Sequence, residues 1–395
     1  MSIDHFRTPL RHTPFHARLV AASTCNEWYA WKGYTAPSRL TEVEFEYFAI
    51  RNSASLFDIT PMTKYRIRGP DCVAYFNRLL TRDVAALAVG RVAYCLWCDD
   101  AGQLIDDGTL FRLGEQDYRL CSQERHYDWL LTSTLGFQVS VEEETDDVAA
   151  LALQGPTSCA VLRSLGVGAI EMLRPFHLMA TSISGREVML SRTGYTGDLG
   201  YELWMHPDSA GALWDALMEA GRNYAIMPIG SQALDMARIE AGFIQANVDF
   251  VPADQAVRPG RGRSPFELGL AGHVDLRKAN FTGRRALLEE QRRGSRYQLV
   301  KLDIEGSTPA TDSFIYSGRR KVVGHVTSAV WSPTAKANIA LASLRTPYGT
   351  SGADLWAEIY YKRELKWERK MARCRLVTGA FYDPARRRQT PPANY

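Results

Sequence analysis

Two segments of this chain repeat one pattern, and they restrict its fold more than anything else in the sequence. KYRIRG (64–69) is strand-like and runs into a helical stretch opening at Pro70 (GPDCVAYFNRLL); LALQG (151–155) runs into another opening at Pro156 (GPTSCAVLRSLG). Proline suits a first helical turn, where its missing N–H would have no intrahelical partner anyway. Gly69 and Gly155 stand 86 residues apart. The pattern reads as a diverged internal repeat, two similar α/β subdomains that each pack helices on one face of an antiparallel sheet.

Between the repeats, RVAYCLWCDDAGQLIDDGTLFRL reads as a hairpin turning at Asp99 to Gly102, and its returning strand carries Asp106 and Asp107. Side chains alternate along a strand, so one of these acids faces the interior or a cavity and the other the opposite side. An inward acid beside Leu104 and Ile105 would be perturbed and partner-seeking; the alternative is an acidic turn on a sheet edge. A third stretch, RTGYTGDLGYELW (192–204), spaces Gly194, Gly197 and Gly200 three apart and then enters an apolar strand holding one acid, Glu202. A buried carboxylate there needs a donor, and its two oxygens suit a flat ligand with two parallel N–H groups, such as the 2-amino-pyrimidinone edge of guanine or a pterin. A bulged strand with Glu202 in solvent is the other reading.

Elsewhere the pattern predicts helices over Glu42 to Asn52, from a cap at Asp208 to Gly221, and over Ser231 to Ala241, with Leu234 and Arg238 on one face of the last. A long Pro- and Gly-containing loop follows (243–265). From Tyr297 six short strands with turn signals predict a separate C-terminal barrel or sandwich. The 395 residues suffice for two or three domains with full cores. Lys plus Arg (47) nearly balance Asp plus Glu (44), which gives no charge-based reason to expect nucleic acid or an anionic membrane as partner. Seven scattered cysteines, with Cys95 and Cys98 in a strand-like CxxC lacking a second pair, predict neither a disulfide framework nor a metal site. No run is long enough to span a membrane and the N-terminus lacks a secretory pattern, so the expected location is cytoplasmic.

The motifs SLFDITPM (55–62), LIDDG (104–108), LALQGP (151–156), RTGYTGDLGYEL (192–203), RIEAG (238–242), FTGRRAL (281–287) and GHVTSAVWSP (324–333), in this order and spacing, resemble the glycine cleavage T-protein (aminomethyltransferase) family, which includes tetrahydrofolate-dependent demethylases. The resemblance implies an α+β fold of two related ferredoxin-like subdomains plus a C-terminal antiparallel β-barrel, arranged as a cloverleaf around a folate channel. The implied division is 1–55 with 145–285, then 56–144, then 290–395. By position, Glu202 would grip the pterin edge, Tyr195 and Met62 would line its pocket, and Asp106 would lie near the reactive folate nitrogens with Tyr94 facing the same site. Arg238 joins the implied folate-binding set.

Three departures from the family pattern bear on substrate. Leu234 stands where the family's ARD triplet has arginine, EWYAWKGYTAP replaces a GWxMP segment, and FIQANVDF replaces MxLYG. The last two border the family's substrate side. Trp28, Trp31, Tyr34 and Trp97 would then form an aromatic pocket with His16, Lys32 and Asn247 as polar contacts. The resulting expectation is a tetrahydrofolate-dependent methyltransferase that demethylates a small donor such as a methoxylated aromatic acid. Two alternatives remain: a glycine cleavage aminomethyltransferase acting on an aminomethyl-lipoyl carrier protein, and a non-catalytic folate-binding protein.

Overall fold

The computed structural model describes residues 9–258, 260–350 and 352–392. The expected first division, which starts at residue 1, therefore begins with eight residues outside the described ones. Three sheets organise the rest. The first has six strands in the order Leu178–Ile183, Arg186–Ser191, Gly200–Met205, Ala149–Gln154, Ala54–Asp58 and Ile226–Pro228, antiparallel except for the last pair. The second has five antiparallel strands in the order Arg91–Cys98, Leu104–Gly114, Asp117–Ser122, Thr63–Arg68 and Ser140–Glu143. Six strands between Tyr297 and Val377 close into a barrel. The strand Ala54–Asp58 belongs to the first sheet, so the chain crosses to the second through Ile59–Met62 rather than at residue 56.

The repeat is structural. Strand Thr63–Arg68 leads to helix Cys72–Leu79, and strand Ala149–Gln154 to helix Ser158–Ser164. The linking glycines have φ +144° (Gly69) and +123° (Gly155), and a Cβ there would lie 2.1 Å from the Gln138 carbonyl oxygen and 2.4 Å from that of Ser53. Only glycine lets the helix fold back this closely over its own sheet.

Each sheet buries one face under helices. Leu56, Leu151, Leu203 and Leu213 belong to the first such core, and Ile67, Phe76, Leu110 and Leu120 to the second. The first sheet departs from the one-sided expectation: helices Val43–Asn52 and Ser231–Ala241 pack near its other face, where Tyr47, Ile50, Ala233 and Ala237 join Phe57 and Ala152. That layer also contains Val92, Phe111 and Cys121 of the second sheet, with the Phe111 and Trp204 rings edge to face at 5.1 Å. The two sheets thus meet across a shared seam. Helix Pro207–Gly221 starts one residue earlier than the cap expected at Asp208, because His206 is the cap and its ring accepts from the Asp208 N–H. All seven cysteines are free, and no helix among the described residues is long and apolar enough to cross a membrane.

The three-residue glycine spacing has a packing cause. The Gln154 amide lies between the turn and the strand: Nε2 donates to the Thr193 and Tyr201 carbonyls, and Oε1 accepts from Thr196. A Cβ on Gly194 or Gly200 would come within 2.0 or 2.3 Å of that amide. Gly200→Ala is therefore expected to cost about 1–3 kcal/mol in urea unfolding through overpacking. Gly168→Ala, with nothing within 4 Å of the added carbon, should stay within about 0.5 kcal/mol of the parent.

Candidate active site at the seam between the sheets

Four elements bring polar groups to the facing sides of the two sheets. From the second sheet come Tyr94 and Asp107, whose side chains share a face, and the Tyr94 hydroxyl donates to Asp107 Oδ2 at 2.9 Å. Tyr195, in the turn after strand Arg186–Ser191, is packed near them; its hydroxyl donates to the Ile244 carbonyl and its ring stacks on Phe243 at 5.7 Å. From the first sheet comes Glu202, on the face it shares with Ala152 and Phe57. The Ser191 and Thr193 hydroxyls both donate to its Oε2, which leaves Oε1 without a hydrogen-bond partner among the described residues. Met62, on the crossover between the sheets, packs against the same layer.

The protonation of these acids follows from their surroundings. Burial pushes Glu202 up to about 7, against the pull of the two hydroxyls. Burial first, then the neighbouring Asp106 charge, pushes Asp107 up to about 7. Both carboxyls therefore change charge near neutrality, where a group that exchanges protons is most useful. A folded-state value above the unfolded one means that the group favours folding at low pH and loses that contribution as pH rises through the folded value. From their ordinary values of 4.5 and 3.8, Glu202 and Asp107 thus weaken the fold as pH climbs to about 7. Glu202→Gln should raise the melting temperature more at pH 8.5 than at pH 5.5, a comparison that calorimetry makes directly.

Several expected site residues lie elsewhere. Asp106 does not share a site with Tyr94. It points to the opposite face, fully buried, where its Oδ2 faces His126 Nε2 at 3.0 Å and accepts from the Glu124 N–H. The cause is a one-residue register shift in the hairpin: Cys98 pairs with Leu104 but Trp97 pairs with Asp106. Each added residue turns every following side chain over. Arg238 is not available to a ligand, since it is 1% exposed and donates to Asp235, Asp249, Ser328 and the Phe243 carbonyl, clamping helix Ser231–Ala241 to the barrel.

The expected aromatic pocket does not assemble. Trp97 is buried in the second sheet's helix-facing core, because it alternates with Leu96 and falls on the Asp106 face. Trp28 packs on the first sheet's core beside His16, which is stacked on His12. The Tyr34 hydroxyl donates to Asp146, Lys32 forms an ion pair with Glu124, and Asn247 is exposed in a loop turn at φ +63°. Of the seven, Trp31 reaches the seam, stacked on Phe57 at 6.0 Å. Leu234 also packs against that layer, an apolar contact in keeping with its neighbours.

Two further groups bear on the site, one left undecided by the sequence and one not signalled by it. Asp107 was visible in the sequence as one of a pair, and alternation alone left the choice open. His126 carries no local signal, because its partners Asp106 and Asp254 are 20 and 128 residues away. Beside the site, a cleft of ≈ 530 Å³ is lined by Arg82, His273 and Arg277 among others. It adjoins Tyr94, since Arg82 donates to the Tyr94 carbonyl and the His273 ring meets the Tyr94 ring edge-on at 4.9 Å.

Comparison with known proteins agrees with this architecture. Residues 12–278 match the GCVT N-terminal domain, and residues 298–383 match the glycine cleavage T-protein C-terminal barrel domain. The chain belongs to the glycine cleavage T-protein family. An aminomethyltransferase of Halothermothrix orenii is 32% identical over 355 residues, spanning 88% of this chain and 94% of that protein. A trimethylamine-oxide aldolase of Ruegeria pomeroyi is 36% identical over 356 residues, 87% of this chain but 43% of that longer protein. The crystal structure of glycine cleavage system aminomethyltransferase T from Bartonella henselae superposes with a TM-score of 0.83, covering 97% of this chain and 100% of that one at 23% identity, which establishes the shared fold.

Proposed function

We propose that this T-protein family member is a tetrahydrofolate-dependent one-carbon transferase that takes the aminomethyl carbon, bonded to a lipoyl sulfur of a carrier protein and to an amino nitrogen, and passes it to folate with release of the thiol and ammonia. The observation that carries the reading is the pair of carboxyls at the seam: Glu202 with one oxygen unclaimed, and Asp107 oriented by Tyr94. The unclaimed Oε1 of Glu202 is suited to accept an N–H of a pterin edge, a charge-assisted hydrogen bond. Folate supplies the nucleophilic nitrogen. Asp107, poised near neutrality, takes up or returns a proton as two folate nitrogens bond to the carbon and its bonds to the lipoyl sulfur and the amino nitrogen break, and Tyr94 holds its carboxyl in one orientation. The name and near full-length match of the Halothermothrix orenii relative support the aminomethyl donor.

A second reading, demethylation of a small molecule, is favoured by Leu234 in place of the family's arginine and by the 36% identity to a trimethylamine-oxide aldolase. Methylated amines are then better donors than methoxylated aromatic acids, because Trp28, Trp31, Tyr34 and Trp97 do not gather into one pocket. The test incubates the protein and tetrahydrofolate with aminomethyl-loaded carrier protein, methylated amines or methoxylated aromatic acids. Methylenetetrahydrofolate and ammonia from the carrier arm support the first reading. Methyltetrahydrofolate from a small donor with no product from the carrier overturns it in favour of demethylation.

A further inference from the structure

Behind the seam, on the far face of strand Leu104–Gly114, three ionisable groups stand in a line that the proposed chemistry leaves unused. His126, immediately before the helix Tyr127–Thr132, has a fully buried side chain. Its Nε2 faces Asp106 Oδ2 at 3.0 Å and its Nδ1 faces Asp254 Oδ2 at 3.1 Å. Asp254 lies in the short turn Ala253–Gln255, within the loop that leads away from Ile244. The charged groups facing the ring are these two carboxylates. Trp97 presents its ring edge-on at 5.7 Å, and the Tyr65 hydroxyl accepts from the His126 backbone N–H at 2.7 Å.

A neutral imidazole has one N–H and one lone pair, so it would direct a lone pair at one of the two carboxylates. With both carboxylates ionised, only the imidazolium satisfies both contacts. Asp106 extends the line toward the site, because its Oδ1 accepts the backbone N–H of Asp107 at 2.9 Å. Asp107 turns its own carboxyl to the seam and Tyr94.

We propose that His126 is a positioning residue, an imidazolium clamped between Asp106 and Asp254 that fixes the backbone at Asp107 and ties the loop after Ile244 to the second sheet. The charge on His126 offsets the buried Asp106, and Asp254, 36% exposed at its side chain, is the outer end of the line. Burial by itself would lower the proton affinity of the ring, but the two carboxylates outweigh it and raise the group to about 9. The role given to Asp107 rests on the active-site reading above; the charge state of His126 does not.

The test therefore has two arms. In the first, nitrogen NMR of histidine-labelled full-length protein follows the His126 ring with pH. It should keep both protons at pH 8, and Asp254→Asn should lower its midpoint by at least one pH unit. A neutral ring at pH 7 overturns the proposal whatever the enzyme does. In the second, His126→Gln and Asp254→Asn are compared with the parent for turnover against pH, folate affinity and melting temperature. His126→Gln should lower kcat about tenfold and displace the pH midpoint of turnover while folate affinity stays within about threefold. Asp254→Asn should displace the same midpoint with little change in melting temperature, and Asp254→Glu should restore it. A uniform fall in stability and folate affinity with the midpoint in place would assign His126 to packing alone and overturn the positioning role. If the parent transfers carbon from no donor, the functional reading fails and the NMR arm alone decides.

Discussion

Asp107→Asn is expected to lower kcat/KM for one-carbon transfer about 10²- to 10⁴-fold, the range that a positioned proton-transfer group contributes. The amide still accepts the Tyr94 hydroxyl at the position where the carboxyl accepts it now. Folate affinity should therefore change little, and the melting temperature at pH 8 should rise, since a partly buried anion is removed. Asp106→Asn should behave in the opposite way. Its carboxyl faces the buried His126, and breaking that contact should cost about 1–3 kcal/mol, since the ring keeps Asp254 as its other carboxylate. Steady-state kinetics with either donor class and melting curves for both variants separate the two acids. Equal loss of activity with unchanged stability in Asp106→Asn, and a fully active Asp107→Asn, would return the chemical role to Asp106.

Glu202→Gln carries the second large effect. A hydrogen bond to a charged group is worth about 1.5–3 kcal/mol, so the variant should bind tetrahydrofolate on the order of 10- to 100-fold more weakly. The side-chain amide also places N–H donors where the ligand needs an acceptor. Because burial holds the Glu202 carboxyl up to about 7, parent affinity should weaken as pH falls below that value, and the variant should lose this pH dependence. Calorimetric titration at pH 6 and pH 8 reads both effects. Equal affinity of parent and variant at pH 8 would show that the pterin edge is held elsewhere. The expected gain in thermal stability of this variant at high pH has the same origin: a carboxylate kept partly desolvated for a ligand weakens the empty protein.

Much of the scaffold was legible because its signals are local. Pro70 and Pro156 after Gly69 and Gly155 mark two strand-to-helix turns, and both glycines are required by backbone atoms that approach within 2.1 and 2.4 Å of an added Cβ. Six alternating strands after Tyr297 close into the barrel. The grouping of Tyr195, Glu202 and Met62 came from the family resemblance rather than from a local pattern: Met62 packs against the inter-sheet layer, Glu202 is held by Thr193 nine residues away, and Tyr195 meets Ile244 forty-nine residues on. Trp28, Tyr34 and Trp97 failed as a pocket. Trp28 packs on the first sheet's core, Trp97 falls on the helix-facing side of the second sheet by strand alternation, and the Tyr34 hydroxyl is held by Asp146.

By itself, then, the sequence determined the strand-to-helix repeat, a strand-rich C-terminal domain and an acid pair on the strand returning from the Asp99–Gly102 turn, all of them consequences of period, turn chemistry and strand length. Which acid of the pair meets Tyr94 was decided only in three dimensions. With the pairing that starts at Cys98 and Leu104 continued unbroken, Asp106 would lie on the Tyr94 face; the shift between Trp97 and Cys98 puts Asp107 there instead. One extra residue in a ladder reverses every side chain beyond it, and such a bulge is stabilised by packing from distant segments rather than by a signal of its own. The same holds for His126, whose charge is set by carboxylates from two segments far apart in the chain and close only in the fold.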